Sequence, residues 1–136
     1  MLIAHNMTSE ELKNRTKAFA LRVMNLMEAL PNSIKGRAIA NQIVRSGMSV
    51  AANYRAACRA RSRAEFVSRI GVVEEEADET ALWLELIIED KILTDKKVMP
   101  LHKEANELVA IMAASYKSAR SLNKSAISNQ QSKIRT

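Results

Sequence analysis

SRAEFVSRIGVVEEEADETALWLELIIED, residues 62–90, decides the fold. Ser62 and Glu65 stand in the order of a capping box, in which the hydroxyl accepts from the backbone of the fourth residue and the glutamate reaches back. Behind them Phe66, Ile70, Val73, Ala77, Thr80, Leu84 and Ile87 recur at intervals of four and three. That period lines all of them along one stripe of an α-helix, whereas a half-buried strand would alternate every two residues. The spacing predicts a helix over about 63–90.

Working outward, the same signature recurs. Thr8-Ser9-Glu10-Glu11 reads as another capping box, followed by Leu12, Thr16, Phe19, Val23, Leu26 and Leu30 at the same spacing up to Pro31. A first helix is expected over about 9–30. Between Pro31 and Ser62, the residues Ile39, Ile43, Gly47, Val50, Tyr54 and Cys58 fall on one side of a second helix over about 34–61, with Ala40 and Ala51 beside them. Gly47 in mid-helix costs about 1 kcal/mol against Ala. Its place on the apolar side predicts the close approach of a neighbouring helix. Val98, Leu101, Ala105, Leu108, Met112, Ser115, Ala119 and Leu122 make a fourth helix over about 96–123. Thr94 or Asp95 is a candidate cap there, and Pro100 suits a first turn. Residues 124–136, KSAISNQQSKIRT, lose the period and read as a disordered tail. Four long helices on short connections predict an all-α, antiparallel up-down-up-down four-helix bundle in one domain, residues 1–123. No internal repeat is visible.

Composition agrees. The 136 residues are 47% apolar but only 4% aromatic, so the core must be aliphatic. Three glycines and two prolines are too few for the turns of a sheet protein. Cys58 is the only cysteine, which excludes an internal disulfide. No leader-like N-terminus and no apolar run of membrane length stands out, so the expectation is a cytoplasmic protein with no membrane partner.

Net charge is +6 and the pI about 9.7, a basic excess that suits an acidic partner. The charge is segregated. Residues 29–64 carry net +7 with no acid, residues 65–90 net −8, and residues 91–136 net +6. On the second helix Arg37, Arg45, Arg55 and Arg59 share an arc away from the apolar side, continued by Arg61 and Arg63. Guanidinium groups bind phosphate and carboxylate alike in bidentate fashion. Two readings therefore stay open. The arginines contact the backbone of a nucleic acid, or they pair with the third helix's acids, Glu75, Asp78 and Glu79 first, inside a subunit or across an interface.

No catalytic constellation emerges. The acidic run Glu74–Glu79 invites a di-iron reading, but the Glu-x-x-His pairs such a bundle needs are missing: Leu2 and Met99 precede His5 and His102 at that spacing. Cys58 lies on the apolar side, where a thiol is inert. Gly36, Gly47 and Gly71 are too far apart for a phosphate loop. Trp83 reads as peripheral core or an interface anchor, and Tyr54 and Tyr116 as packing residues. The expectation is no enzyme, no metal and no cofactor.

Residues 45–87, RSGMSVAANYRAACRARSRAEFVSRIGVVEEEADETALWLELI, resemble the bacterial four helix bundle protein family, which includes proteins encoded by intervening sequences within 23S ribosomal RNA genes. Gln42, Arg45, Ser49, Asn53, Ser62, Glu65, Phe66 and Glu79 match its motif, and the resemblance extends over about residues 8–122. It departs at Ala56, where the family's N-Y-R-E-A-C pattern carries glutamate. The resemblance implies an antiparallel four-helix bundle assembling as a ring-like homopentamer. A distant relation, the accessory variability determinant of diversity-generating retroelements, resembles a basic barrel that binds nucleic acid and a reverse transcriptase.

Together these readings lead to a non-enzymatic homo-oligomer that binds nucleic acid, structured RNA before DNA, through Arg37, Arg45, Arg55, Arg59, Arg61 and Arg63. Glu75, Asp78 and Glu79 are the candidates for charge pairing at an interface. The alternative is a protein-interaction or self-assembly scaffold, with the arginines matched by the chain's own acids and no nucleic-acid ligand.

Overall fold

The first three helices each start where a hydroxyl satisfies one of the first free N–H groups. The computed structural model describes residues 2–3 and 7–135. A short antiparallel ribbon of β1 (Leu2–Ile3) and β2 (Met7–Thr8) leads in, with Leu2 opposite Thr8 and Ile3 opposite Met7. The sequence pattern gave no sign of this ribbon, because two residues per strand are too few to establish a period. Thr8 then caps α1 (Ser9–Met27) through a complete capping box: Glu11 N donates to Thr8 Oγ1 at 3.1 Å and Thr8 N to Glu11 Oε2 at 3.2 Å.

Ser33 caps α2 (Ile34–Cys58), accepting from Gly36 N at 3.1 Å. Ser62 caps α3 (Arg63–Glu89), accepting from Glu65 N at 3.1 Å. The return half of this second box differs from expectation. Glu65 Oε2 accepts from the backbone N–H of Arg61, at 2.8 Å, and so holds the turn before the cap. α1 and α2 each stop three residues short of the sequence estimate. Their last turns tighten into i→i+3 bonds, Leu30 N to Met27 O and Ala60 N to Ala57 O, both 3.1 Å.

α4 (Asp95–Arg135) departs most from the sequence reading. Residues 124–135 continue the helix instead of forming a separate tail. They contain no glycine or proline, and propagation of a helix already nucleated needs no apolar stripe. Pro100 lies in the second turn, not the first, so the carbonyl of Lys96 has no N–H four residues on to accept from.

Between α3 and α4 the chain reverses through a Schellman motif. Ile92 N donates to Ile87 O at 3.0 Å and Lys91 N to Ile88 O at 3.1 Å. Lys91 occupies the left-handed position, φ 54°, that usually belongs to glycine. Lys91→Gly should therefore raise stability by about 1 kcal/mol, visible as a higher urea midpoint with unchanged slope.

Consecutive helices pack side by side, α1 on α2, α2 on α3 and α3 on α4, and α1 also touches α4. This is the antiparallel four-helix bundle of the sequence reading. The four-three stripes meet at its centre: Leu12, Phe19, Val23, Ile43, Val50, Tyr54, Ile70, Val73, Leu84, Leu108 and Met112 are all fully buried. Leu122 is the exception on the fourth stripe, 53% exposed because it lies near the end of the bundle. The expected close approach at Gly47 is real. A Cβ there would sit 2.9 Å from both methyls of Val23, so α1 and α2 touch nearly backbone to side chain. One buried polar pair fixes α2 against α3: Thr80 Oγ1 lies 2.8 Å from Ser46 Oγ and donates to Glu76 O or to that hydroxyl.

Candidate nucleic-acid interface

The arginines of the sequence reading separate into groups. Arg45 faces α3 and is already matched: Nη2 donates to Glu79 Oε1 at 2.6 Å and Nη1 to Glu76 Oε2 at 3.4 Å. These contacts, Glu79's hydrogen bond first, hold its pKa above the ordinary arginine value. Arg37 donates to Asn32 Oδ1 at 3.0 Å and turns toward the α1–α2 connection. On the same helix Lys35 pairs with Asp90 at 2.9 Å. Internal pairing thus accounts for the upper part of α2.

The lower part is different. Arg55 and Arg59 at the end of α2, Arg61 in the turn and Arg69 on α3 surround an open hollow floored by Ala52 and Ala56. Among the described residues, none of Arg55, Arg59, Arg61, Arg63 and Arg69 makes an ion pair. The single acid at the hollow is Glu65, and one of its oxygens is engaged by the Arg61 N–H. Ala56, where a related pattern has glutamate, puts a methyl group among four guanidinium groups. Arg63 is exposed but stands outside the hollow.

Sequence reasoning missed Arg69, the only base in the acidic segment. Its partner is Asn53 on α2: Arg69 Nη1 donates to Asn53 Oδ1 at 3.3 Å, while Asn53 Nδ2 donates to Ser49 O at 2.9 Å and to Ser49 Oγ at 2.8 Å. Antiparallel pairing across a four-residue turn would have found it. The first turns of α3 must lie beside the last turns of α2.

Of the three acids singled out, Glu79 is consumed by Arg45. Glu75 and Asp78 point the other way. With Glu74 they line a hollow beside Gly71, Val109 and Tyr116 on the α3–α4 side. They do not meet the arginines of their own α2, because each precedes Glu76 or Glu79 by one residue and so projects about 100° round the helix from the carboxylates that Arg45 engages.

A second charge cluster was also missed. Arg15 on α1 forks onto α4, with Nε 2.8 Å from Glu104 Oε2, Nη2 2.6 Å from Glu104 Oε1, and Nη2 2.6 Å from Glu107 Oε2. Burial pushes the Glu104 carboxyl up, but the Arg15 contacts outweigh it and its pKa lies below the ordinary value. A carboxyl with a lowered folded pKa contributes stability above its unfolded pKa and loses it as pH falls through the folded one. Arg15→Met should cost about 1–3 kcal/mol at pH 7 and progressively less toward pH 3, as thermal unfolding at a series of pH values would show.

The residues set aside as non-catalytic are placed as follows. Tyr54 is fully buried; burial first, then the neighbouring Cys58, pushes its phenol far above its ordinary pKa. Cys58 is half-buried and free. His102 Nε2 lies 3.9 Å from Glu85 Oε1, and His5 falls outside the described residues. Among the described residues no group of three His, Cys, Asp or Glu is placed to hold a metal ion, and no helix is long and apolar enough to cross a membrane.

Comparison with known proteins identifies the family and the fold. A family model described as 23S rRNA-intervening sequence protein matches residues 9–114. A crystal structure from Bacteroides thetaiotaomicron, described as a protein of unknown function from the S23 ribosomal protein family, is similar at 35% identity. The similarity covers 74% of this chain and 94% of that one, with a TM-score of 0.70. No curated protein matches the chain.

Proposed function

The chain belongs to the 23S rRNA-intervening sequence protein family, and on that footing we propose that it is a non-enzymatic, self-associating bundle that binds structured RNA through phosphate contacts. The observation that carries this reading is the hollow formed by Arg55, Arg59, Arg61 and Arg69. Four arginines line it over two alanines, none of them in an ion pair among the described residues, with Glu65 the one acid at the hollow. An arginine fork matches a phosphate's paired oxygens. The hollow is open and shallow, which suits a backbone passing across it rather than a base enclosed within it. Aromatic platforms for stacking are absent from its lining, so recognition rests on charge and shape.

Binding of labelled structured RNA and matched DNA to nuclease-treated protein, followed by anisotropy over a salt series, tests the reading. Three to four phosphate contacts per copy give a log–log slope of roughly −2 to −4. Flat, undetectable binding at low salt would sink it.

The scaffold reading draws on Arg45, whose carboxylate partners come from the same chain. It extends to Lys35 but leaves the lower arginines unexplained, and is the reading to adopt if the salt series shows no binding.

A further inference from the structure

The arginine hollow does not end at Arg55. Arg55 and Ala52 also line a groove along the outer seam of α1 and α2, so the two depressions are continuous. The groove holds about 360 Å³, the size of a small-ligand site. Its character changes along its length. At the start of α1, Glu10 and Lys13 are already matched to one another at 3.0 Å. Next come Lys17 from α1 and Arg55 from α2, and among the described residues neither makes an ion pair. Beyond a stretch of alanines lie Leu21, Met24 and Met48, 54%, 45% and 46% exposed.

The contact at Gly47 fixes the levels, since Val23 abuts it and α1 and α2 run in opposite directions. At 1.5 Å per residue, Lys17 lies about 9 Å and Arg55 about 12 Å below that contact. By the same rise Leu21 lies about 3 Å below it, and Met24 and Met48 within about 2 Å of it. Two free cations thus share one level and three apolar side chains another, with mean heights about 10 Å apart. A nucleotide laid lengthwise spans such a gap, with its phosphate at one end and its base at the other. Phosphate suits the cations. The flat face of a base suits the methionines, because a thioether makes favourable contacts with aromatic rings. Bases are open to such contacts in single-stranded RNA, where they can unstack.

We propose that the α1–α2 groove is a subsite for one unpaired nucleotide of the RNA that crosses the arginine hollow. Lys17 and Arg55 hold its phosphate, and Leu21, Met24 and Met48 cover the face of its base. Ala20, Ala51 and Ala52 between them let the sugar lie close to the helices. The three apolar side chains offer no strong donor or acceptor, so the subsite registers that a base is unpaired and not which base it is. The inference rests on the RNA-binding reading above and adds to it a preference for a stem flanked by a single strand.

Anisotropy with two labelled hairpins of one stem tests it. One carries a single-stranded uridine extension, the other the same extension without bases, and both keep the phosphates. Wild type should bind the first about 5-fold more tightly. Met24→Ser/Met48→Ser, at exposed positions, should bring the two affinities together. Lys17→Gln should weaken binding of both and flatten the log–log salt slope by about 0.7, the share of one single-strand phosphate. Equal wild-type affinities, or a base preference that survives the methionine changes, overturns the subsite. So does a Lys17→Gln protein with wild-type affinity and slope. If the methionine changes alter sedimentation and leave the base preference intact, the groove belongs to a contact between copies and the subsite is again overturned. In each of these cases the hollow stands if Arg59→Glu, at a position outside the groove, weakens binding of the base-free hairpin. Failure of both hairpins to bind wild type at low salt overturns the subsite and the RNA reading together.

Discussion

Arg55→Glu/Arg59→Glu is expected to weaken RNA binding severely in a protein that still folds. Both side chains are exposed and neither makes an ion pair among the described residues, so their replacement removes nothing that holds the bundle together. Each guanidinium bonded to a phosphate contributes about 1.5–3 kcal/mol as a hydrogen bond to a charged group, and reversal adds repulsion to that loss. The pair should lower affinity by roughly 100-fold or more, since each 1.4 kcal/mol is a factor of ten. The salt slope should flatten by about two units, because two fewer phosphates release counterions. Arg45→Glu is the contrast. Its partners are Glu76 and Glu79, so its reversal should cost stability before it costs affinity. Ala56→Glu should act in the same direction as the double reversal but more weakly, by offering the cluster an internal carboxylate. Unaltered binding by a folded Arg55→Glu/Arg59→Glu protein would remove the hollow from consideration.

Gly47→Leu is expected to unfold the protein or leave it molten. The first carbon of any side chain at Gly47 lies 2.9 Å from both Val23 methyls. Val23 cannot rotate away, because a β-branched residue in a helix has essentially one χ1 state, and it is itself fully buried. A leucine must then push α1 off α2. Overpacking alone costs about 1–3 kcal/mol, and separating the helices also forfeits burial at about 25 cal/mol per Å² of apolar surface. Those losses approach the whole stability of an ordinary domain, about 5–15 kcal/mol. Gly47→Ala is the finer test. It gains about 1 kcal/mol of helix propensity, so a net loss in its urea midpoint measures the steric term directly. A more stable Gly47→Ala would show that α1 can retreat without cost.

Much of this was legible in the residue order. Phe66 through Ile87 repeat at four and three, and Ile70, Val73, Ala77, Thr80, Leu84 and Ile87 are buried as that period requires, with Phe66 partly covered at the end. The caps Thr8 and Ser62 stand where Ser and Thr can accept from a free N–H three residues on. Gly47 announced a close neighbour by its position alone. These features are local: a period, a cap and a breaker each act within one or two helical turns, so the chain states them wherever it is read.

What only the tertiary structure decided is how the charges are shared. Net +7 on one segment and −8 on the next left open whether the arginines pair with the acids or stay free; Arg45 pairs with α3, while among the described residues Arg55 and Arg59 make no ion pair. Helices meet along one narrow seam, and only side chains that project onto it can touch; the rest of the same helix faces solvent. Arg15 meets Glu104 and Glu107 across some ninety positions of sequence, and Arg69 joins the arginines of α2 because a tight turn folds α3 back beside them. Local periodicity fixes which face of a helix is apolar. It says nothing of which charged residues on the remaining faces will have a neighbour, since that depends on the order and rotation of all four helices at once.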